Sequence, residues 1–231
     1  MACPDQHLDF CFTFEMAITP EEELKFLLST AKAGFIAAAT PSFFDNYRRE
    51  GRSIREHQLN LTPQEEQKLW QMLDREMQQG AHWDYSFLTT NCSSMCVWIV
   101  EEALWASGER IDYGQLPQAV TGTYRDLLDE LSADYPWARL FWNLRMGSKG
   151  EERGELRDKL APALLEQAWQ QAVITDKEGH SRPMVVGDSV QHAEQTFRPK
   201  SALITPMGVT AAMLIFILLT IIMFILKKRK R

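Results

Sequence analysis

The sequence is short of cysteine, of internal repeats, of an N-terminal leader pattern and, outside its last five residues, of positive charge. Four cysteines in 231 residues (Cys3, Cys11, Cys92 and Cys96) exclude a disulfide scaffold, which needs a far denser framework. Cys92 and Cys96 lie one helical turn apart, but a Cys-x-x-x-Cys pair with no second pair lacks the spacing of a structural zinc site. No metal and no cofactor is expected. The formal charge is −6, and because residues 227–231 carry five positive charges, the remaining 226 residues carry −11. So acidic a body excludes nucleic-acid binding, which needs a basic face toward phosphate. The absence of a repeat excludes a solenoid-type array. The first residues, Met1-Ala2-Cys3-Pro4-Asp5-Gln6-His7, have neither the basic start nor the apolar core of a secretory signal.

What is present is an ordinary globular composition, 45% hydrophobic and 24% charged, long enough for one domain with a sizeable core. At its end lies a run without a single charge, Met207 to Leu226. At about 1.5 Å per residue such a helix spans about 30 Å, the thickness of a bilayer core. Pro206 suits the first turn of that helix. The basic tail that follows, Lys227-Lys228-Arg229-Lys230-Arg231, favours the cytoplasmic side. The expected layout is a single-pass membrane protein with a C-terminal anchor and its body outside the cytoplasm. Export without a leader leaves two explanations open. The chain inserts by its tail and keeps the body cytosolic, against the charge bias, or the reading frame lacks its true beginning.

Along the chain, Phe10, Phe12 and Phe14 alternate within Leu8–Met16 and predict a strand. Thr19-Pro20-Glu21-Glu22 reads as a helix start, with the helix running to about Lys32. Residues 33–40 are small and apolar, and their state is ambiguous. The arginines between Phe43 and Leu61 predict a solvated face, or one that meets anionic headgroups. Thr62-Pro63-Gln64-Glu65 repeats the helix start, with Leu69, Trp70, Leu73 and Met77 on the buried side and Gly80 as the stop. Trp83, Tyr85 and Phe87 alternate as a strand with one buried face. From Ser93 to Ser107 the apolar spacing turns helical, through Met95, Trp98, Ile99, Ala103 and Leu104. Residues 121–131 and 156–172 read as further helices, and Pro162 is expected to bend the second. The aromatic stretch Tyr135–Trp142 is expected to pack on the core. Residues 175–204 are expected to be a polar tether of loop with one short strand.

Cys92 stands where a strand hands over to a helix. Unpaired backbone N–H groups and the helix dipole converge there, and both favour a thiolate, the form that acts as nucleophile. The competing reading is that Cys92 is a small core residue, as most free cysteines are.

Several segments then form an order that resembles a known family. They are Tyr47, Gly51-Arg52-Ser53-Ile54, Leu59-Asn60-Leu61-Thr62, a helix, and Tyr85-Ser86-Phe87-Leu88-Thr89-Thr90-Asn91-Cys92-Ser93. Trp137-Ala138-Arg139, Asn143-Leu144, Met146-Gly147-Ser148 and Arg182-Pro183-Met184-Val185 follow. Together these resemble the bacterial Lnb N-terminal periplasmic domain family over about residues 8–186. That family is similar to permuted NlpC/P60-type thiol enzymes. The resemblance implies an α+β, papain-like domain in residues 1–174, incomplete at its N-terminus, then the tether, a transmembrane helix over 205–226 and the tail 227–231. It further implies acyl transfer on lipoproteins or membrane lipid, with Cys92 as nucleophile and Asn91 orienting the site or helping to hold the oxyanion. The family's catalytic His lies in a Gly-His-Thr-like segment that nothing here matches. His7 is the nearest candidate base, whereas His57 and His82 align with no family position. The expected function is thus a thiol acyltransferase scaffold impaired by lack of its base. The alternative is a non-enzymatic, membrane-tethered binding or remnant domain in which Cys92 is structural.

Overall fold

A computed structural model describes residues 2–3, 8–16, 25, 31–196 and 204–229. The helix expected over 19–32 lies almost entirely outside the described residues, with only Lys25 assigned helical. In chain order the elements are β1 (Ala2–Cys3), β2 (Leu8–Met16), β3 (Lys32–Ala39), α1 (Thr40–Arg49), β4 (Ile54–Leu59), α2 (Pro63–Gln79), β5 (Trp83–Asp84) and α3 (Cys92–Trp105). There follow β6 (Arg110–Asp112), α4 (Gln118–Thr121), α5 (Tyr124–Leu131), α6 (Pro136–Met146), α7 (Pro162–Gln171), β7 (Val173–Thr175), β8 (Ser181–Pro183), β9 (Val185–Ala193) and α8 (Pro206–Arg229). The chain is thus a mixed helix and strand protein with one apolar C-terminal helix. It divides into two units, residues 1–122 with 153–198, and residues 123–152 with 199–231.

The first unit is built on an antiparallel sheet in the order β1-β2-β3-β5. β2 and β3 pair from Phe10 with Ala39 to Met16 with Ala33, which resolves the ambiguous 33–40 stretch as a strand. Its alanines and glycine leave room for close neighbours. A Cβ on Gly34 would stand 2.5 Å from the Gly80 carbonyl oxygen, so only glycine lets the end of α2 approach the sheet there. α2 starts with the expected capping box: Glu65 N–H donates to Thr62 Oγ1 (3.4 Å) and Thr62 N–H to Glu65 Oε2 (2.6 Å). It buries Leu69 and Leu73, but also two carboxylates, Glu65 and Glu76. Glu76 accepts from the Trp83 indole N–H (3.2 Å) and pairs with His82 (3.4 Å). α3 buries Met95, Val97, Ile99, Val100, Ala103 and Leu104. So broad an apolar surface suits a helix with neighbours on several sides, and α3 packs against β2, α2 and β6.

Within the 175–204 stretch expected as a tether, Ser181–Pro183 and Val185–Ala193 supply strands to this unit. β8 joins β7 and β6 in a three-stranded sheet, and β9 pairs antiparallel with β4. Arg182 on β8 explains why so polar a segment is held. Its guanidinium donates to Glu65 (2.7 and 2.8 Å), to Glu109 (2.9 and 2.5 Å) and to the Asn60 carbonyl (3.0 Å). Burial raises the Glu65 carboxyl, and hydrogen bonding to Glu109, Thr62 and Arg182 outweighs it, leaving Glu65 below the usual carboxylate range. Pro162 begins α7 at its first turn and does not bend it.

In the second unit a capping box at Thr123 and Asp126 opens α5. α6 is tied to α5 by a forked pair, Arg139 Nε and Nη2 to the two Asp129 oxygens (both 2.7 Å), and by Asn143 Nδ2 to Asp129 Oδ1 (3.0 Å). The aromatic stretch Tyr135–Trp142 expected in the core is largely exposed: Tyr135, Trp137, Leu140 and Phe141 all face outward, as does Leu144 just beyond it. α8 is long and apolar enough to cross a membrane, with a mean hydropathy of 3.0 over Pro206–Lys228.

Candidate functional site

The expected strand 83–88 ends after two residues. The chain then turns tightly, with Ser86 and Thr90 exchanging backbone hydrogen bonds (3.0 and 3.2 Å) and Ser86 Oγ accepting from the Leu88 and Thr89 N–H groups (both 3.3 Å). This is an ST-type turn, in which a hydroxyl close to the backbone satisfies donors that a strand would have paired. Asn91 closes the turn and caps α3. Its Oδ1 accepts from Ser93 N–H (2.9 Å) and Ser94 N–H (3.0 Å), and its Nδ2 donates to the Phe87 carbonyl (3.1 Å). Ser94 completes a reciprocal box by accepting from the Asn91 N–H (2.9 Å). Cys92 is therefore the first residue of a helix whose start is fixed by at least four side-chain hydrogen bonds.

Cys92 is exposed, so it is not the packed core cysteine of the competing reading. It lines a cavity of about 600 Å³ together with Phe14, Glu15, Met16, Ile36, Tyr47, Arg52 and Tyr85. Its lining includes apolar side chains from both faces of the β2–β3 pair, Phe14 and Met16 on one and Ile36 and Ala38 on the other, together with Phe43. Arg52 lies 3.9 Å over the Tyr47 ring and pairs with Glu50 (3.0 Å). Burial pushes the Tyr47 hydroxyl up, against the opposing pull of Arg52. Burial, helped by the charge of a Cys92 thiolate, pushes Tyr85 up to about 12. Cys96, one turn further along α3, is driven to about 12 by burial and by the same thiolate charge. Both phenols and the second thiol thus stay protonated at neutral pH around Cys92.

Of the other site candidates, His7 lies outside the described residues. Among the described residues no histidine lines the Cys92 cavity. His57 meets Glu166 (3.0 Å), His82 the Gly80 carbonyl (3.0 Å), His180 Asp176 (3.1 Å) and His192 Glu56 (2.5 Å). The arginines of 43–61 are engaged as well, Arg48 with Asp45 (2.9 Å) and Arg55 with Glu166 (2.6 Å). Phe14, Glu15 and Tyr85 are cavity residues that the sequence did not single out as such. Tyr47 and Arg52 stood in the family pattern, but nothing in their spacing connects them to Cys92. In the β7–β8 turn Asp176, Glu178 and His180 come within 4.8 Å of one another, and there Asp176 also accepts from the Glu178 and His180 N–H groups (2.9 and 2.8 Å). Those bonds make the cluster a turn lock.

A mixed α and β unit with an exposed cysteine at a capped helix start, together with an apolar C-terminal helix, defines the class of a thiol-bearing domain with a candidate membrane span. Residues 12–130 match the family described as the Lnb N-terminal periplasmic domain, and the chain belongs to that family. The match covers a narrower stretch than the 8–186 expected from the motifs, and it contains the Cys92 helix. Neither a curated protein nor a solved structure matches the chain.

Proposed function

We propose that this protein is a thiol acyltransferase scaffold of the papain-like, permuted NlpC/P60 type, anchored in the bacterial inner membrane by α8. Its body lies in the periplasm and its basic tail in the cytoplasm. The observation that carries this reading is Cys92, exposed at the first position of a helix opened by a capping box and lining a partly apolar cavity. The apolar part of that lining suits an acyl chain, and the substrate class is a membrane lipid or lipoprotein. In the first half-reaction the Cys92 sulfur attacks the ester carbonyl of the glyceryl group. A carbon–sulfur bond forms, the ester carbon–oxygen bond breaks, and the thiol proton ends on the departing hydroxyl. In the second, an amine attacks the thioester. A carbon–nitrogen bond forms, the carbon–sulfur bond breaks, and a proton from the amine returns to sulfur.

Asn91 is a positioning residue, since its amide is spent on the cap and the turn. Among the described residues, the Cys92 N–H is left as the helix's first donor without an acceptor, and it supplies the hydrogen bond to the developing oxyanion. The second reading, a tethered binding or remnant domain, is favoured by the lack of a histidine among the described cavity residues. Incubation of the full chain with bacterial membrane lipids, followed by mass analysis of the Cys92 peptide, separates the two. A hydroxylamine-sensitive acyl adduct supports acyl transfer, and lipid retained only non-covalently supports the binding domain.

A further inference from the structure

We propose that α6 is a membrane-surface helix, seated with its apolar face in the interfacial layer of the same bilayer that α8 crosses. Its exposed residues Trp137, Leu140, Phe141 and Leu144 have accessibilities of 44%, 38%, 48% and 75%. They recur at i, i+3, i+4 and i+7, which is one helical face. Two polar residues of α6 point the other way: Arg139 and Asn143 are committed to Asp129 on α5, while Arg145 flanks the apolar face. A helix on a water-exposed surface does the reverse, with apolar side chains inward and polar ones outward. Contiguous exposed apolar faces mark an interaction surface.

The occupant of this face follows from what adjoins it. The Trp137 indole N–H donates to the Ile204 carbonyl at 2.6 Å, two residues before α8 begins at Pro206. The aromatic face of α6 is thereby held at the level where the apolar run starts. Tyr135, at the N-cap of α6, and Leu131, at the end of α5, are exposed as well. Trp and Tyr concentrate at this depth of a bilayer, where an apolar ring and a polar tip are both satisfied. None of the four apolar side chains calls for anionic lipid, and the Arg139 guanidinium is paired internally. Apolar insertion therefore carries the contact, and neutral phosphatidylcholine suffices. The inference rests on the anchoring part of the functional reading and is independent of the thiol chemistry.

The test uses the full chain in phosphatidylcholine vesicles that carry a tagged acyl chain. A photo-reactive benzoylphenylalanine replaces Phe141 or Leu144, or Glu178 in the β7–β8 turn as the reference. Flotation with the vesicles reports the anchor by itself. Irradiation is expected to give several-fold more lipid adduct at positions 141 and 144 than at 178. In parallel, Trp137→Phe is expected to lose most of the fluorescence quenching by lipids brominated near the headgroup, with less change for deeply brominated ones. Adducts between two copies of the chain at 141 or 144, or yields no higher than at 178 in a chain that floats, overturn the surface helix and leave the anchor standing. A chain that does not float overturns both.

Discussion

Replacing Arg182 by methionine tests whether one cation joins three separate stretches of the first unit. Its guanidinium makes five hydrogen bonds, two each to Glu65 and Glu109 and one to the Asn60 carbonyl. Methionine retains much of the bulk and removes all five. It leaves two carboxylates facing each other, with the Glu65 side chain 2% and that of Glu109 15% exposed. Stripping one partner from so buried a group costs about 3–5 kcal/mol. For a domain of this size about 1 kcal/mol moves Tm by about 2–4 °C, so the Arg182→Met midpoint should fall by about 10 °C. The pH dependence should also change sign. In the wild type the Glu65 carboxyl is held below its unfolded value, so its contribution is full above the unfolded pKa of about 4.3 and is lost as pH falls through the folded one. Without Arg182 only the Thr62 hydrogen bonds still favour the ionised form against burial and the facing Glu109 carboxylate, and lowering the pH from neutral toward 5 should stabilise the variant. Thermal unfolding of the full chain in detergent micelles, followed by circular dichroism, reads both effects. Adding Glu65→Gln and Glu109→Gln to Arg182→Met should recover part of the loss. A drop under about 1 kcal/mol, well short of the cost of an unpaired buried charge, with no change in pH slope, would refute the reasoning.

Other outcomes follow from the same structure. Under a limiting amount of iodoacetamide at neutral pH, peptide mapping should find label on exposed Cys92 and little on Cys96, whose thiol is raised to about 12; equal labelling contradicts that environment. Asn91→Ala removes the cap and should cost about 1 kcal/mol in unfolding experiments, with altered Cys92 labelling as α3 frays; an unchanged midpoint and labelling rate would show that the cap is not needed. Gly34→Ala forces a Cβ onto the Gly80 carbonyl at 2.5 Å and should cost about 1–3 kcal/mol, whereas a neutral result would mean that the end of α2 shifts freely.

Local chemistry was legible wherever a few adjacent residues decide the outcome. The Thr62–Glu65 box, the Gly80 stop and the apolar run from Met207 were read directly, because each depends on side chains within one or two turns. Cys92 at a helix start was legible for the same reason. Tertiary partners were not. The alternation of Trp83, Tyr85 and Phe87 imitates a long strand, yet Ser86 Oγ offers the backbone a turn that ends it. Residues 175–204 look like a tether because their polarity hides Arg182, whose partners lie more than seventy positions away. The aromatics of α6 have a core-like composition, and only the engagement of Arg139 and Asn143 by Asp129 reveals which face is turned outward. The cavity joins β2, α1 and the α3 start, so Glu15, Tyr47 and Cys92 meet only once the sheet is formed.

The central claim is that the Cys92 sulfur takes an acyl group from a membrane substrate. The most direct measurement is single-turnover mass analysis of the full chain after incubation with bacterial membrane lipids, comparing wild type, Cys92→Ser and Cys96→Ser. The account predicts an acyl mass on the Cys92 peptide that hydroxylamine removes, retained in Cys96→Ser and absent as a thioester from Cys92→Ser. An unmodified Cys92 in a folded protein whose thiol still alkylates would contradict it, and would make this chain a tethered binding domain.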